Sequence, residues 1–277
     1  HEYFTGVPEL LERPFVRSVW KKIETLILPK LNTIVTVNES VAQLYSEEYS
    51  IKVHVIKNYP KTIDPIIFDK EPFELIPAQY SETAVVLNLI YELLKTEKRK
   101  IIIYQGAINK DRGIEEMISA MEFLENVALL IIGTGDLYKT LKSRIKGLWY
   151  HNRIFMIGPV SMEYLPAFTQ LASLGLSLEK PTNINYQLAS PNKVVDYIQA
   201  NIPVLASPLV EITKLFTKYD VGTFIESHQP ELLAKKINEV LDTKESLYKW
   251  KSNTFLAKTE LNWSIEEKKL LQLVSEC

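Results

Sequence analysis

Residues 190–207 read SPNKVVDYIQANIPVLAS and combine the start of a helix with a buried strand. Pro191 suits the first turn of a helix, where its missing N–H costs nothing, and Ser190 is a good N-cap residue. The predicted helix Asn192–Ala200 is followed closely by Pro203–Ala206, a short apolar run typical of a buried strand. This stretch therefore predicts one helix–strand step of a parallel α/β sheet.

Similar apolar runs surround this step at regular intervals. The other predicted strands are Lys100–Gln105, Val127–Ile132, Arg153–Ile157, Leu174–Leu178 and Val221–Ile225. Amphipathic stretches of helical length alternate with them, over Gly113–Leu124, Asp136–Gly147, Met162–Ala172, Glu211–Tyr219 and Pro230–Leu241. Nearly continuous apolar strands indicate a sheet covered on both faces, and right-handed crossovers then favour a Rossmann-like, doubly wound parallel sheet. Ligands bind such α/β sheets outside the carboxyl ends of the strands.

The two ends of the chain predict additional units. The first sixty residues suggest a partial α/β unit, because two strands cannot make a stable sheet alone. Its predicted elements are a helix Leu10–Pro29, a strand Thr33–Val37, a helix Glu39–Tyr49 capped by Asn38, and a strand His54–Lys57. The division we expect is therefore a partial amino-terminal domain over 1–60, a Rossmann-like domain over 61–245, and a helical tail over 246–277 that packs back on the amino-terminal part.

Composition limits the classes of function. A formal net charge of -2 argues against nucleic-acid binding, which needs a cationic excess or patch. The one cysteine, Cys277, excludes an internal disulfide and a cysteine metal cluster, and it fits a reducing cytoplasmic location. The apolar runs are shorter than the roughly 20 residues that span a bilayer. The chain begins with His1 rather than methionine, and we expect a further segment upstream.

The helix that begins near Pro191 carries charges that indicate an anionic ligand. Free amides and the positive end of the helix dipole attract phosphate there, whereas Lys193 in the first turn would oppose the dipole unless an anion were bound. Asp196 lies three residues later on the same face and can offer its carboxylate to ribose hydroxyls. A solvated surface helix is the alternative interpretation of the same residues.

This block resembles the donor-binding motif of retaining GT-B glycosyltransferases of the group 1, family 4-like type. In that motif PNK, an acidic residue and A-x-G-x-P-V-x-A-S follow one another. The match runs through Pro191, Asn192, Lys193, Asp196, Ala200, Pro203, Val204, Ala206 and Ser207. The resemblance implies that Pro191, Asn192 and Lys193 bind the donor diphosphate and that Asp196 binds ribose. Asn201 replaces the family's glycine, and asparagine is the next best residue for a left-handed helix end.

Residues 101–115, IIIYQGAINKDRGIE, resemble the family's strand and loop in which a basic pair grips the diphosphate. The resemblance implies phosphate contacts from Gly106, Lys110 and Arg112. The arginine that the family carries after the first glycine is Ala107 here, which puts one phosphate contact in doubt.

Two further loops resemble parts of the same family. Residues 131–135, IIGTG, resemble a turn whose glycines give backbone clearance, and Tyr138 breaks the G-x-G-x-x-G pattern that a dehydrogenase would need. Gly158 and Val160 lie in a stretch similar to the loop whose backbone meets the nucleotide base. A plain strand-to-helix turn is the alternative for that stretch.

The sugar side departs from the family pattern. Relatives carry two acidic residues here, and Leu188 occupies the place of the first, so Glu179 and Asn185 become the candidates for contact with the donor sugar. His1 and Glu2 resemble the family's H-E element near the reaction centre, which implies that His1 orients the acceptor or transfers a proton. Disorder at the chain end is the alternative for His1.

The resemblance implies transfer of a sugar, with retention, from a nucleoside diphosphate sugar to a glycan, lipid or small-molecule acceptor. It implies no metal and no cofactor besides that donor substrate. It also leaves open peripheral membrane association through the remainder of the amino-terminal domain. We expect little activity from this chain alone. The alternatives are a non-catalytic nucleotide-binding module of the same fold, motivated by Ala107 and Leu188, and an interaction scaffold that binds no nucleotide.

Overall fold

A computed structural model describes residues 3–62, 81–92, 96 and 98–276. Its strands are β1 (Val35–Thr36), β2 (His54–Val55), β3 (Lys100–Gln105), β4 (Val127–Ile132), β5 (Ile154–Ile157), β6 (Leu174–Ser177), β7 (Val204–Ala206) and β8 (Gly222–Phe224). The helices of the first half are α1 (Pro8–Leu11), α2 (Pro14–Ile27), α3 (Glu39–Tyr49), α4 (Ser81–Glu92), α5 (Ile114–Ala120) and α6 (Tyr138–Lys146). Those of the second half are α7 (Leu165–Gln170), α8 (Ile184–Gln187), α9 (Asn192–Gln199), α10 (Val210–Tyr219), α11 (Pro230–Asp242), α12 (Lys244–Ala257) and α13 (Trp263–Ser275).

Strands β3 to β8 form one parallel sheet in the order β5-β4-β3-β6-β7-β8. The chain first adds strands on one side of β3 and then returns to add β6 on its other side. In a doubly wound sheet, this reversal between β3 and β6 opens a crevice at the carboxyl ends of the two strands. The predicted Rossmann-like fold is confirmed, and it locates the candidate site at this crevice.

Alternating side chains of β3 supply two separate hydrophobic cores, one on each face of the sheet. Ile102 and Tyr104 belong to a core closed by α5, α6 and α11. Ile101 and Ile103 belong to a second core, closed by α9 and α10 together with Phe168 of α7. All four strand residues are 1% exposed or less, so the central strand is buried on both faces, as its continuous apolar sequence predicts.

The amino-terminal unit is built around β1 and β2, which pair in parallel. Helix α3 connects them, and the side chain of Asn38 caps it by accepting a hydrogen bond from the Val41 amide at 2.8 Å. The same asparagine donates its Nδ2 to the carbonyl of Leu188 at 3.0 Å. The cap therefore also connects the amino-terminal unit to the segment that precedes α9.

Some element bounds differ from the sequence-based prediction. The expected single helix over 10–29 is interrupted, because Pro14 begins a new helix at its first turn. Helix α7 starts at Leu165 rather than near Met162, with Pro166 in its first turn. Helix α4 is absent from the prediction, since a short apolar run has no periodicity that separates helix from strand.

The carboxy-terminal helices contact two different parts of the molecule. Helix α12 packs against α9, α10 and α11 of the large sheet. Helix α13 meets the segment after β2: the Trp263 amide donates to the Pro60 carbonyl at 2.8 Å, and the Glu266 carboxylate accepts from the Lys57 amide at 2.9 Å. None of the described helices has both the length and the apolar character needed to cross a bilayer.

Candidate functional site

A cleft of about 540 Å³ lies at the crevice between β3 and β6. Its walls come from the segment after β2, the loops that follow β3, β4 and β5, and the first turns of α9. The lining residues are Asn58, Tyr59, Pro60, Gln105, Gly106, Ala107, Arg112, Ile132, Gly133, Thr134, Pro159, Val160, Met162, Leu165, Pro191, Asn192, Lys193 and Asp196. Most of the predicted phosphate and ribose residues therefore meet in one concave site.

Lys193 is buried at the floor of this cleft. Its Nζ donates to the Glu179 carboxylate at 2.5 Å and lies 4.1 Å from the ring centre of Tyr104. Its aliphatic part passes beneath Gly106, where an added Cβ would lie 3.5 Å from the Cε of Lys193. The ammonium is thus held in one position by a carboxylate and an aromatic face, close to the loop after β3.

Glu179 is fully buried and serves as the counter-ion of the cationic side chains. Its Oε2 accepts from the Ser177 hydroxyl at 2.7 Å, while Arg112 lies 3.6 Å from Oε1, the oxygen that Lys193 also contacts. Burial alone would raise the pKa of Glu179, but the charge of Lys193 and the hydrogen bonds from Lys193 and Ser177 outweigh it and hold the pKa below the ordinary value. Glu179 therefore lies beneath the cations, which differs from its expected position in contact with a donor sugar.

The start of α9 presents unpaired amides to the cleft. Pro191 occupies the N-cap position with extended backbone, so the prediction of Ser190 as N-cap is wrong by one residue. Proline has no side-chain oxygen to cap the helix, and none of the described residues accepts a hydrogen bond from the Asn192 or Lys193 amide. Two N–H groups at the positive end of a helix dipole therefore remain open to an anionic ligand.

Arg112 lies at the rim of the cleft with unused hydrogen-bonding capacity. Its guanidinium stacks 4.7 Å from the ring centre of Tyr186, and its Nε is buried without a partner among the described residues. Lys110, in contrast, is exposed and lines none of the described cavities near the site. Of the two basic residues predicted in this loop, only Arg112 reaches the cleft.

Two glycines bring neighbouring strand ends together at the cleft. Gly106 and Gly133 both have positive φ angles, 131° and 143°. A Cβ at Gly133 would lie 2.0 Å from the Gly106 carbonyl oxygen, which no side chain could accommodate. The clearance role expected for residues 131–135 thus has a physical basis, because the loops after β3 and β4 touch at these positions.

Asp196 lies one helical turn from Lys193 and lines the same cleft. Its Oδ2 accepts from the Gln105 side chain at 3.1 Å, and Gln105 in turn accepts from the Thr169 hydroxyl at 2.8 Å. Burial raises the pKa of Asp196 to about 6, with the Gln105 hydrogen bond and the charge of Lys193 opposing it only in part. A carboxylate with one filled and one open oxygen can accept hydrogen bonds from a ligand.

The loop after β5 forms the far wall of the cleft. Val160 lines it together with Pro159, whereas Gly158 does not. An adjoining cavity of about 360 Å³ extends from Asp196 past Leu165 and Pro166. This side of the crevice is largely apolar and includes Asp196 in its lining.

A second cavity of about 340 Å³ adjoins the cleft on the side of the amino-terminal unit. The two cavities share five residues, Asn58, Tyr59, Arg112, Pro191 and Asn192. Asn185 lines the second cavity, but its amide is used by the Tyr3 backbone, from which it accepts at 2.8 Å and to which it donates at 3.2 Å. Leu188 also lines this cavity.

Some site residues are missing from the sequence-based prediction. Gln105, Tyr104 and Tyr186 support Asp196, Lys193 and Arg112 respectively, and none of them is a residue that the sequence motifs single out. The sequence offers one signal, which is position: Gln105 is the last residue of a predicted strand and directly precedes Gly106. His1, predicted to orient the acceptor, lies outside the described residues.

The fold is shared with several solved glycosyltransferases. Sucrose-phosphate synthase from Thermosynechococcus elongatus superposes with a TM-score of 0.70 at 16% identity, over 92% of this chain and 60% of that one. Anabaena Alr3699/HepE, solved in complex with UDP and glucose, gives 0.67 at 14% identity, over 92% and 66%. WaaG, a glycosyltransferase of lipopolysaccharide biosynthesis, gives 0.59 at 16%, over 85% and 60%. This chain thus spans about 60% of the length of the synthase and of WaaG.

These likenesses and the cleft between β3 and β6 define a Rossmann-like domain with the GT-B fold. A family model described as glycosyl transferases group 1 matches residues 88–256, more than half of the chain, and the chain belongs to this family. No curated protein matches the chain in sequence.

Proposed function

We propose that this chain binds a nucleoside diphosphate sugar and forms the donor side of a retaining glycosyltransferase. The observation that carries the proposal is the convergence of Arg112 and the open amides of α9 on the rim shared by two cavities, with Lys193 at the floor of the larger one. A nucleotide sugar has three parts, a nucleoside, a diphosphate and a sugar. We assign the nucleoside to the large cleft, the diphosphate to the cationic rim and the sugar to the second cavity.

The nucleoside belongs to the larger cleft in this proposal. Asp196 has one carboxylate oxygen free of Gln105, and that oxygen would accept from ribose hydroxyls. The apolar wall formed by Pro159 and Val160 would face the base, whose polar atoms would meet the backbone of residues 158–160. Recognition through the backbone uses no base-selective side chain, so several bases are compatible with this cleft.

The diphosphate would lie between the cavities, where the chemistry needs stabilisation of negative charge. As the bond between the anomeric carbon and the diphosphate oxygen breaks, that oxygen keeps the electron pair. Preorganised cations and amides stabilise this developing charge without reorganisation. The acceptor hydroxyl bonds to the anomeric carbon from the same face, and its proton leaves with the diphosphate.

The remaining parts of the proposal concern partners and location. The described residues contain no group of three or more histidine, cysteine, aspartate or glutamate side chains arranged to hold a metal ion. We propose that the cations and amides serve in place of a metal. We also propose a glycan, lipid or small-molecule acceptor, and a role of His1 toward that acceptor. The same proposal includes peripheral contact with a membrane and a cytoplasmic location.

Calorimetry with UDP and GDP tests the binding step directly. Arg112→Gln should weaken the better of the two by about 1.5–3 kcal/mol, the usual size of a charge-assisted hydrogen bond. Lys110→Gln is the matched control, because Lys110 comes from the same loop but is exposed and lines neither cavity. Equal affinities in the wild type, Arg112→Gln and Lys110→Gln would refute this site.

A non-catalytic nucleotide-binding module is the second candidate, favoured by Ala107 and Leu188, which depart from the family motif that the sequence otherwise resembles. Both candidates bind nucleoside diphosphates, so turnover separates them. Release of UDP or GDP from the corresponding nucleotide sugar, in the presence of a glycan acceptor mixture, supports the transferase. The anomeric configuration of the product, read by proton NMR couplings, tests retention.

A further inference from the structure

The second cavity, of about 340 Å³, has an unusual distribution of charge for a sugar site. Its described lining residues are Val37, Asn38, Val41, Lys57, Asn58, Tyr59, Arg112, Asn185, Tyr186, Leu188, Ala189, Ser190, Pro191, Asn192 and Val195. Two of these are cationic, Lys57 and Arg112, and none is acidic. A neutral sugar donates its hydroxyl hydrogens best to carboxylates, and this lining provides none.

Two of the four asparagines that line the cavity are already engaged with other parts of the protein. Asn38 is occupied by the Val41 amide and the Leu188 carbonyl, and Asn185 is occupied by the Tyr3 backbone. Leu188 presents an apolar side chain to the cavity. The polar groups that stay open to a ligand therefore include Asn58, Asn192, the two cations and the start of α9, and none of them is a carboxylate.

Both cations keep capacity for a ligand anion. Arg112 keeps a buried Nε without a partner among the described residues, which costs free energy unless a ligand oxygen fills it. Lys57 Nζ lies 2.9 Å from Glu39, whose side chain is 52% exposed and does not line the cavity. An ion pair with such an exposed carboxylate stabilises little, so it does not hold Lys57 against a better-placed anion.

We propose that this cavity binds a donor sugar that itself carries an anionic group, such as the carboxylate of a uronic acid. Lys57 and Arg112 would neutralise that group, while Leu188 packs against the apolar face of the ring. The inference rests on the proposed function, because the cavity becomes the sugar site only if the diphosphate lies at the shared rim. It adds the class of sugar, which the sequence motif leaves open.

Calorimetry with matched donors tests the charge preference. The pairs are UDP-glucose with UDP-glucuronate and GDP-mannose with GDP-mannuronate, each accompanied by the free nucleoside diphosphate. The wild type should bind the acidic member of its preferred pair about tenfold more tightly, since a charge-assisted hydrogen bond corresponds to about a tenfold change in affinity or more.

Two variants test the charges of the cavity: one removes a positive charge and the other adds a negative charge. Lys57→Gln should reduce the preference for the acidic sugar by about tenfold and leave the affinity for free UDP or GDP unchanged, because Lys57 does not line the larger cleft. Leu188→Glu adds a carboxylate and should reverse the preference toward the neutral sugar. Lys52→Gln is the control, since Lys52 is exposed and lines neither cavity. Thermal unfolding of each variant verifies that it is folded.

The outcomes separate the two proposals. If UDP or GDP binds but the members of its donor pair bind equally, or the neutral member binds better, the acidic-sugar inference is overturned and the proposed function stands. If neither UDP nor GDP binds to the wild type, the proposed function fails and the inference falls with it. A preference for the acidic sugar that Lys57→Gln removes and Lys52→Gln keeps would support both.

Discussion

The ion pair between Lys193 and Glu179 governs how any variant at the site must be interpreted. Both side chains are buried, at 8% and 0% exposure, and each is the main charge partner of the other. Removal of one member leaves the buried charge of the other without its main partner in a low-dielectric interior. Loss of affinity in a single variant therefore mixes the loss of a ligand contact with a disturbed fold.

We expect Lys193→Met to lower the free energy of unfolding by about 3–5 kcal/mol, the usual cost of a broken buried pair. The double variant Lys193→Met with Glu179→Gln should recover much of this loss, because no net charge then remains buried. Urea unfolding of the wild type, both single variants and the double variant completes the cycle. Additive single effects would show that the two residues do not interact as the structure indicates.

Asp196 gives the site a pH dependence opposite in sign to that of Glu179. Burial raises the pKa of Asp196 to about 6 in the folded protein, above the ordinary aspartate value. The folded state then holds this proton more tightly than the unfolded chain, so stability falls as pH rises toward and through 6. Glu179 has a lowered pKa, and its contribution is lost as pH falls below the ordinary glutamate range.

Asp196→Asn should therefore stabilise the protein only at higher pH. At pH 8 we expect the variant to exceed the wild type by about 1–3 kcal/mol, because the amide avoids a buried charge. Near pH 3, below the ordinary aspartate pKa, the carboxyl is protonated in both the folded and the unfolded state, and the two proteins should be equal. Thermal unfolding across this range gives the comparison, and a constant difference at all pH values would contradict the raised pKa.

Residue identities near α9 could be predicted from sequence, whereas their partners could not. Lys193 and Asp196 share a helical face, a spacing visible along the chain. The contact between Lys193 and Glu179 joins the start of α9 to the end of β6, and Tyr104 comes from β3. Such contacts depend on strand order, which local patterns do not encode.

At the scale of elements, the residue that follows the end of α9 shows how the chain accommodates a left-handed backbone conformation. Asn201 has a φ of 57°, in the left-handed region, and its side-chain oxygen is buried without a partner among the described residues. Asparagine tolerates this conformation better than other residues with a Cβ, and glycine adopts it without strain. The left-handed helix end expected for Asn201 is therefore present.

Substitution at Asn201 should separate backbone strain from side-chain contacts. Asn201→Ala should destabilise the protein by about 1 kcal/mol, because alanine pays the full cost of the left-handed region. Asn201→Gly should be neutral or stabilising, since it removes both the strain and the unpaired oxygen. Chemical denaturation measures both. A glycine variant less stable than the alanine variant would rule out this explanation.

The strands of the large sheet were predictable because most of them, β3, β4, β6 and β7, are buried on both faces. Nearly uninterrupted apolar runs placed β3 and β4 at their observed bounds and the others within one or two residues. Helices were less certain where proline lies near a start, as at Pro14 and Pro166, since proline both ends and begins helices. For Pro166, the geometry of the turn after β5 decides whether the proline ends or begins a helix. Residues 158–164 give no strong sequence signal for that geometry.

At the scale of the whole molecule, α13 determines the position of one wall of the candidate site. The segment 57–60 supplies Asn58, Tyr59 and Pro60 to the larger cleft, although it has no strand or helix of its own. Its backbone is held by the two hydrogen bonds to α13, from the Lys57 amide to Glu266 and from the Trp263 amide to Pro60. A contact more than 200 residues apart in sequence thus shapes the cleft.

Glu266→Ala should loosen this wall without touching the phosphate rim. The carboxylate is buried at 1% exposure, so its removal leaves the Lys57 amide without its acceptor, and we expect about 1–3 kcal/mol of destabilisation. Glu266→Gln keeps an oxygen acceptor and should lose less, while Glu267→Ala, at an exposed neighbouring position, should be silent. Hydrogen exchange should accelerate at residues 57–62 in Glu266→Ala alone, and affinity for UDP or GDP should fall with it. Unchanged exchange in that segment would show that α13 does not hold the wall in place.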